Sequence, residues 1–311
     1  MRIVVIVADG LQVAALGPYG NDWIATSNLN RLAAHAVVFD QHFAEALDGS
    51  APRWEHNSVE LHSFSLLPPW NPSVELLAEQ FEDWEFEDEP EPWLDPQPGF
   101  LDAGNEAAFS QLQRTYSAVV REFDDQLGEL LGDVPSDALL ILTATRGQNL
   151  GEHGLIGDHR PWLHEELTHL PLVVRLSDGA EAGRRVGHLT RPADITATVH
   201  EALSRPHDGP GRSLVPLCRG GPAFRPYVAT ILHGEGSAEF ALQSKREKVI
   251  LPHGDPARRP MYFIKPDDRW EVNNLRQANL DRAEALEQTL LNYVESNRHA
   301  ATLPDFPQTE D

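Results

Sequence analysis

Residues Ile3 to Ala8 form an unbroken apolar run, Ile-Val-Val-Ile-Val-Ala, closed by Asp9 and Gly10. Continuous β-branched sequence, without the polar alternation of a half-exposed strand, marks a strand buried on both faces, and such strands belong to mainly parallel sheets covered by helices. The run is too short to cross a membrane and lacks a signal-peptide cleavage pattern. With Met1 so close to the core strand, the chain is expected to start and stay in the cytoplasm. An acid at the carboxyl end of such a strand is placed for function, because open α/β sheets bind ligands at that edge.

The rest of the chain repeats this theme. Thr26 to Ala34 opens with capping residues and continues with helix formers, and Val37 to Phe43 reads as a second strand. Leu112, Tyr116, Val119, Val120, Phe123, Leu127 and Leu130 fall at helical spacing, predicting a long helix over 106–131 that leads into a buried strand at 138–143. A strand at 170–176 and a helix at 193–203 continue the alternation, which predicts an α/β fold with a mainly parallel sheet sandwiched by helices. The Gly/Pro-rich stretch 206–225 marks the expected boundary between an α/β domain, 1–210, and a small C-terminal α+β subdomain, 211–311. In the latter, segments 227–232, 239–243, 248–251 and 261–264 predict a small antiparallel sheet, and 281–294 a closing helix.

The 25 basic and 48 acidic residues leave a formal charge of -23, which repels nucleic acid and anionic lipid, so neither is an expected partner. Hydrophobic residues make up 41% of the 311, enough for a real core. The single cysteine, Cys218, excludes a disulfide framework and a cysteine-rich zinc site, and reads as a small buried hydrophobe. Residues 82–95 hold eight carboxylates with Trp84 and Trp93 among them. Their spacing fits no calcium loop of the EF-hand kind, so this acidic insert reads as a solvated surface loop with packed indoles rather than a metal site or lid.

Several segments, in order, resemble the sulfatase family of the alkaline-phosphatase superfamily. Val4 to Asp9 followed by Ala15-Leu16-Gly17-Pro18-Tyr19-Gly20 is similar to that family's opening strand and turn, and Asn28-Leu29-Asn30-Arg31-Leu32-Ala33 to its first helix. Phe123 to Gly128, Leu142 to Gly154 with its Leu150-Gly151-Glu152-His153-Gly154 frame, His169 to Val174, Arg191 to Thr198, Gly211 to Leu214, and Met261-Tyr262 through Val272-Asn273-Asn274-Leu275 follow in the family's order. Each motif alone is weak, but their collinear order is a strong signal. The interval from Arg53 to Glu106 is far shorter than the family's and lacks its Gly-Lys-Trp-His element.

The resemblance implies a formylglycine nucleophile made from Cys or Ser in Cys/Ser-x-Pro-x-Arg, a calcium or magnesium ion held by four side chains, and cations that bind the sulfate. Of the four implied metal ligands only Asp9 is retained; Gly10, Thr145 and Arg146 stand in the other positions. A guanidinium stays charged and repels a divalent cation, so Arg146 is expected to take the metal's place and pair with Asp9, and no cofactor is expected. The nucleophile region reads Asp48-Gly49-Ser50-Ala51-Pro52-Arg53-Trp54, with the arginine one residue early. Ser50 is therefore expected to stay unmodified, with Asp48 the alternative nearest the old nucleophile position and an ordinary turn equally open. Asp48, Ser50, Arg53 and, as a general acid, His153 are the catalytic candidates. Arg146, His159 and Arg160 are the candidate anion-binding cations, the last two lying where the family has Gly-Lys. His164 and His169 superficially suggest a zinc-protease helix, but five residues separate them by about 140° around a helix, so they do not converge as an i, i+4 pair does.

Two readings remain. One is a degenerate sulfatase that keeps the scaffold, binds a small anionic or sulfated ligand, and associates with an intact sulfatase. The other is a working sulfuric- or phosphoric-ester hydrolase using Ser50 or Asp48, with arginines replacing the metal. The joint erosion of metal, nucleophile and lysine motifs favours the first.

Overall fold

The computed structural model describes residues 2–47, 54, 56–86, 91–102, 104–157, 162–233 and 236–297. In chain order its elements are β1 (Ile3–Asp9), α1 (Ser27–Ala34), β2 (Val37–Phe39), β3 (Val59–Ser65), α2 (Val74–Gln80), β4 (Gly99–Phe100), α3 (Glu106–Asp133) and β5 (Leu139–Thr143). There follow β6 (Asn149–Leu150), β7 (Leu155–Gly157), α4 (Glu165–Thr168), β8 (Leu172–Arg175), β9 (Arg185–Val186), α5 (Pro192–Ala202) and α6 (Val215–Cys218). The C-terminal part comprises β10 (Val228–His233), β11 (Ala238–Gln243), β12 (Glu247–His253), β13 (Met261–Ile264) and α7 (Leu280–Ser296).

The central sheet has the order β3-β1-β5-β8-β2-β9. β1 pairs in parallel with both β3 and β5, and β2 with β9, whereas β8 runs antiparallel to its two neighbours. The period of two along β1 divides the core. Val4, Ile6 and Ala8 face Leu112, Tyr116, Val120 and Phe123 of α3, while Ile3, Val5 and Val7 face Ile195 and Val199 of α5 and Leu217 of α6. Helices therefore cover both faces, and this is why the opening run carries no polar alternation.

Two details depart from the sequence expectation. The strand expected over 37–43 ends at Phe39, after which His42 and Phe43 make only isolated bridges to Thr190 and His169. β3, the edge strand beside β1, and α2 were not anticipated. The expected boundary near 210 is followed by Leu214, Leu217, Cys218 and Phe224, which pack in the core of the central sheet.

β10 to β13 form an antiparallel four-stranded sheet, on which α7 packs Ala283, Leu286, Leu290 and Tyr293. β4, β7 and β6 make a third, small sheet beside the carboxyl edge of β5. Trp84 sits between Phe81 and Phe86, with the Arg114 guanidinium 5.9 Å from its ring centre, and Trp93 packs on the main core. The described part of the acidic stretch thus anchors its indoles and leaves its carboxylates to solvent. Cys218 is buried, and burial pushes its thiol up to about 12. Among the described residues no helix is long and apolar enough to cross a membrane.

Candidate functional site at the carboxyl edge of the central sheet

Parallel pairing of β1 with β5 brings Asp9 beside the loop that leaves β5, and this contact defines the site. Thr145 donates its hydroxyl to Asp9 Oδ1 at 2.6 Å, and Arg146 donates Nε to the same oxygen at 3.1 Å. Both charged side chains are largely covered, at 14% exposure for Arg146 and 25% for Asp9, so the pair is better insulated than a surface ion pair. The backbone locks the arrangement, since Gly10 N–H donates to the Arg146 carbonyl at 3.0 Å.

Gly10 has φ of +83°, and a Cβ placed on it would lie 2.7 Å from Leu67 Cδ2. Its carbonyl accepts from Tyr116 Oη at 2.9 Å and from Gln148 Nε2 at 2.8 Å. Gln148 also donates to Leu66 O, and Gln12 donates to Glu152 Oε1 at 2.7 Å. Leu150 N–H donates to the second oxygen of Glu152, whose carboxyl is nevertheless pushed up by burial and by the nearby charge of Glu166. A cleft of about 280 Å³ opens beside this network, with Arg146, Gln148, Leu67, Pro68 and Gln97 on its walls.

A hard cation such as calcium takes about six to eight oxygen ligands. Around Asp9 the described residues offer one carboxylate already held by two donors, a cation in contact with it, and a glycine at position 10 that supplies no ligand. This set does not fit such an ion. Asp48, Ser50, Arg53, His159 and Arg160 lie outside the described residues.

His153 has partners other than those of Asp9. Its Nδ1 is 3.0 Å from Glu166 Oε1 and its Nε2 is 3.2 Å from the Glu271 carbonyl. Burial works against its charged form, but the Glu166 hydrogen bond and charge prevail and hold its pKa above the usual value. His164 lies beside it, ring centres 4.1 Å apart, with Nδ1 2.7 Å from Glu271 Oε2. His169 instead stacks on Phe43 at 4.8 Å, so the two histidines of the rejected zinc-protease pattern do diverge.

Other motif residues prove to be scaffold. Asp124 accepts the N–H groups of Asn28 and Leu29 and so caps α1, and Asp194 binds both terminal nitrogens of Arg225 at 2.6 and 2.7 Å. Sequence reasoning missed Gln12 and Tyr116, which lie in no motif, and Gln148, a variable position within the Leu142 to Gly154 stretch. It also missed Glu271, although that residue opens the stretch of the Glu-x-x-Asn-Leu type at Val272 to Leu275.

No family model matches the chain. An N-acetylglucosamine-6-O-sulfatase of Bacteroides thetaiotaomicron is 27% identical over 183 residues, 54% of this chain and 32% of the relative. The multifunctional alkaline phosphatase superfamily protein PehA of Trinickia caryophylli is 30% identical over 128 residues, 38% of this chain and 24% of the relative. The matched part therefore spans a third or less of these curated relatives. Among solved structures, BT4656 in complex with its substrate D-glucosamine-2-N,6-O-disulfate superposes with a TM-score of 0.77 at 14% identity, covering 97% of this chain and 99% of that one. The phosphonate monoester hydrolase of Agrobacterium radiobacter gives 0.64 at 16% identity, covering 94% and 97%. The collinear motifs and these likenesses agree: the chain has the sulfatase fold and is similar, at low identity, to proteins of the sulfatase/alkaline-phosphatase superfamily.

Proposed function

We propose that this chain is a degenerate sulfatase, a protein that keeps the scaffold and acts by binding a small anionic or sulfated ligand rather than by hydrolysing it. The observation that carries this reading is the state of Asp9. The last acid of the implied metal set is paired with Arg146 and hydrogen-bonded by Thr145, and position 10 carries no side chain, a Cβ there meeting Leu67 Cδ2 at 2.7 Å. Without a Lewis acid to polarise the ester and stabilise an anionic nucleophile, the family's reaction loses its main source of charge stabilisation. The cleft beside Arg146 is the proposed ligand site; His159 and Arg160, which lie outside the described residues, stay the sequence candidates for further cations. A sulfated sugar of the kind bound by BT4656 is the ligand class to try first. An intact sulfatase is the proposed partner.

The test is turnover of aryl sulfate and aryl phosphate with and without calcium, combined with metal analysis and mass measurement of the peptide containing Ser50. No turnover, no stoichiometric calcium and an unmodified Ser50 are expected. Calcium-independent turnover abolished by Ser50→Ala would instead make the protein a hydrolase with an unconventional site.

A further inference from the structure

We propose that His153, His164 and Glu166 form a site for a zinc-like divalent cation, separate from the site at Asp9. One ligand atom from each of the three side chains lies within 4.8 Å of the others. Two imidazole nitrogens and a carboxylate are the donor set of a borderline cation such as zinc, not of calcium or magnesium.

The surroundings prepare the histidines for this task. His164 Nδ1 is 2.7 Å from the Glu271 carboxylate, and His153 Nε2 is 3.2 Å from the carbonyl of the same residue. With protons on the nitrogens that face Glu271, the nitrogens left for a cation are His164 Nε2 and His153 Nδ1, the latter giving up the proton it shares with Glu166 when the cation binds. A metal-bound histidine is held in this way by an acceptor on its other nitrogen. His164 is 2% exposed; its Nδ1 meets Glu271 Oε2 at 2.7 Å as a charge contact without hydrogen-bond geometry, and its Nε2 has no hydrogen-bond partner among the described residues. A buried nitrogen left in this state costs stability unless something occupies it.

His153 and Glu271, which touch each other, both have φ of 55° without being glycine. Left-handed backbone at such residues is uncommon and gathers at functional sites. Trp162 Nε1 donates to Glu166 Oε1 at 3.0 Å and orients the third ligand. Lys248 and Lys265 lie 2.8 and 3.0 Å from Glu271 Oε1, so its carboxylate is balanced and serves as an orienting group rather than a fourth ligand. Tetrahedral coordination at about 2.1 Å needs donors about 3.4 Å apart, so the 4.8 Å set has to contract by up to about 1.4 Å on binding. His153, 18% exposed, gives the cation its way in.

The experiment uses untagged full-length protein, stripped with chelator and then titrated with zinc against a chromogenic chelator. Cobalt serves as the spectroscopic probe of geometry. One equivalent of zinc is expected, with the visible absorption of tetrahedral cobalt. His153→Ala and Glu166→Gln should each weaken zinc by about tenfold or more while far-ultraviolet circular dichroism stays unchanged, and Glu271→Gln should weaken it about 10- to 100-fold through lost orientation. Asp9→Asn should leave zinc binding as it was. No stoichiometric binding at micromolar zinc, or binding that His153→Ala leaves intact, overturns the proposal. So does zinc binding that is lost in Asp9→Asn.

Discussion

At the scale of single residues, the pairing of Arg146 with Asp9 was legible in the sequence, because two motif positions of opposite charge had to share one strand edge. What fills the space beside Gly10 was not, because nothing in the order of residues says that Leu67 reaches across to it. Gly10→Ala should destabilise the protein by more than about 1 kcal/mol, read from the urea midpoint, since it adds a left-handed penalty to a clash. Asp9→Ala should cost about 1–3 kcal/mol by leaving Arg146 without its charged acceptor. In a metal cage, removing one of several crowded carboxylates relieves repulsion in the metal-free protein, so the sign of this change separates the two arrangements.

At the scale of elements, the long helix α3, the strands β1 and β5 and the four short C-terminal strands could be read from period and composition alone. β3 could not, since Val59-Glu60-Leu61-His62-Ser63-Phe64-Ser65 is neither a continuous apolar run nor a clean alternation. It is an edge strand whose place is set by its ladder to β1. α5 shows how an element is pinned from outside itself. Asp194 at its first turn and Arg225 just before β10 are 0% and 1% exposed and bonded through two nitrogens. Asp194→Ala should cost about 3–5 kcal/mol by stranding a buried guanidinium, and pairing it with Arg225→Met should recover much of that loss in the same urea titration.

For the molecule as a whole, charge is arranged unevenly inside as well as outside. Glu271 is pushed upward by burial, but Lys248, His164 and Lys265 more than reverse this and hold its carboxyl well below the usual range. Glu247 is likewise held low, chiefly by its hydrogen bond to Arg282 and with help from Tyr262. A carboxyl lowered on folding contributes stability that is present above its unfolded value of 4.5 and lost as pH falls through the folded value. The stability difference between the natural chain and Glu247→Gln should therefore be largest near neutral pH and shrink on acidification below about 4.5. The same charges bear on how far the sheet β10 to β13 is a part in its own right. Lys248 and Lys265 share Glu271, and the second positive charge is met by Glu165 from the α/β domain, 3.1 Å from Lys265. Taken alone, this cluster would set two buried lysines against the single carboxylate of Glu271. The sheet is consequently not a portable module: transplanted to another scaffold, it would need a carboxylate supplied from outside at the position Glu165 now holds.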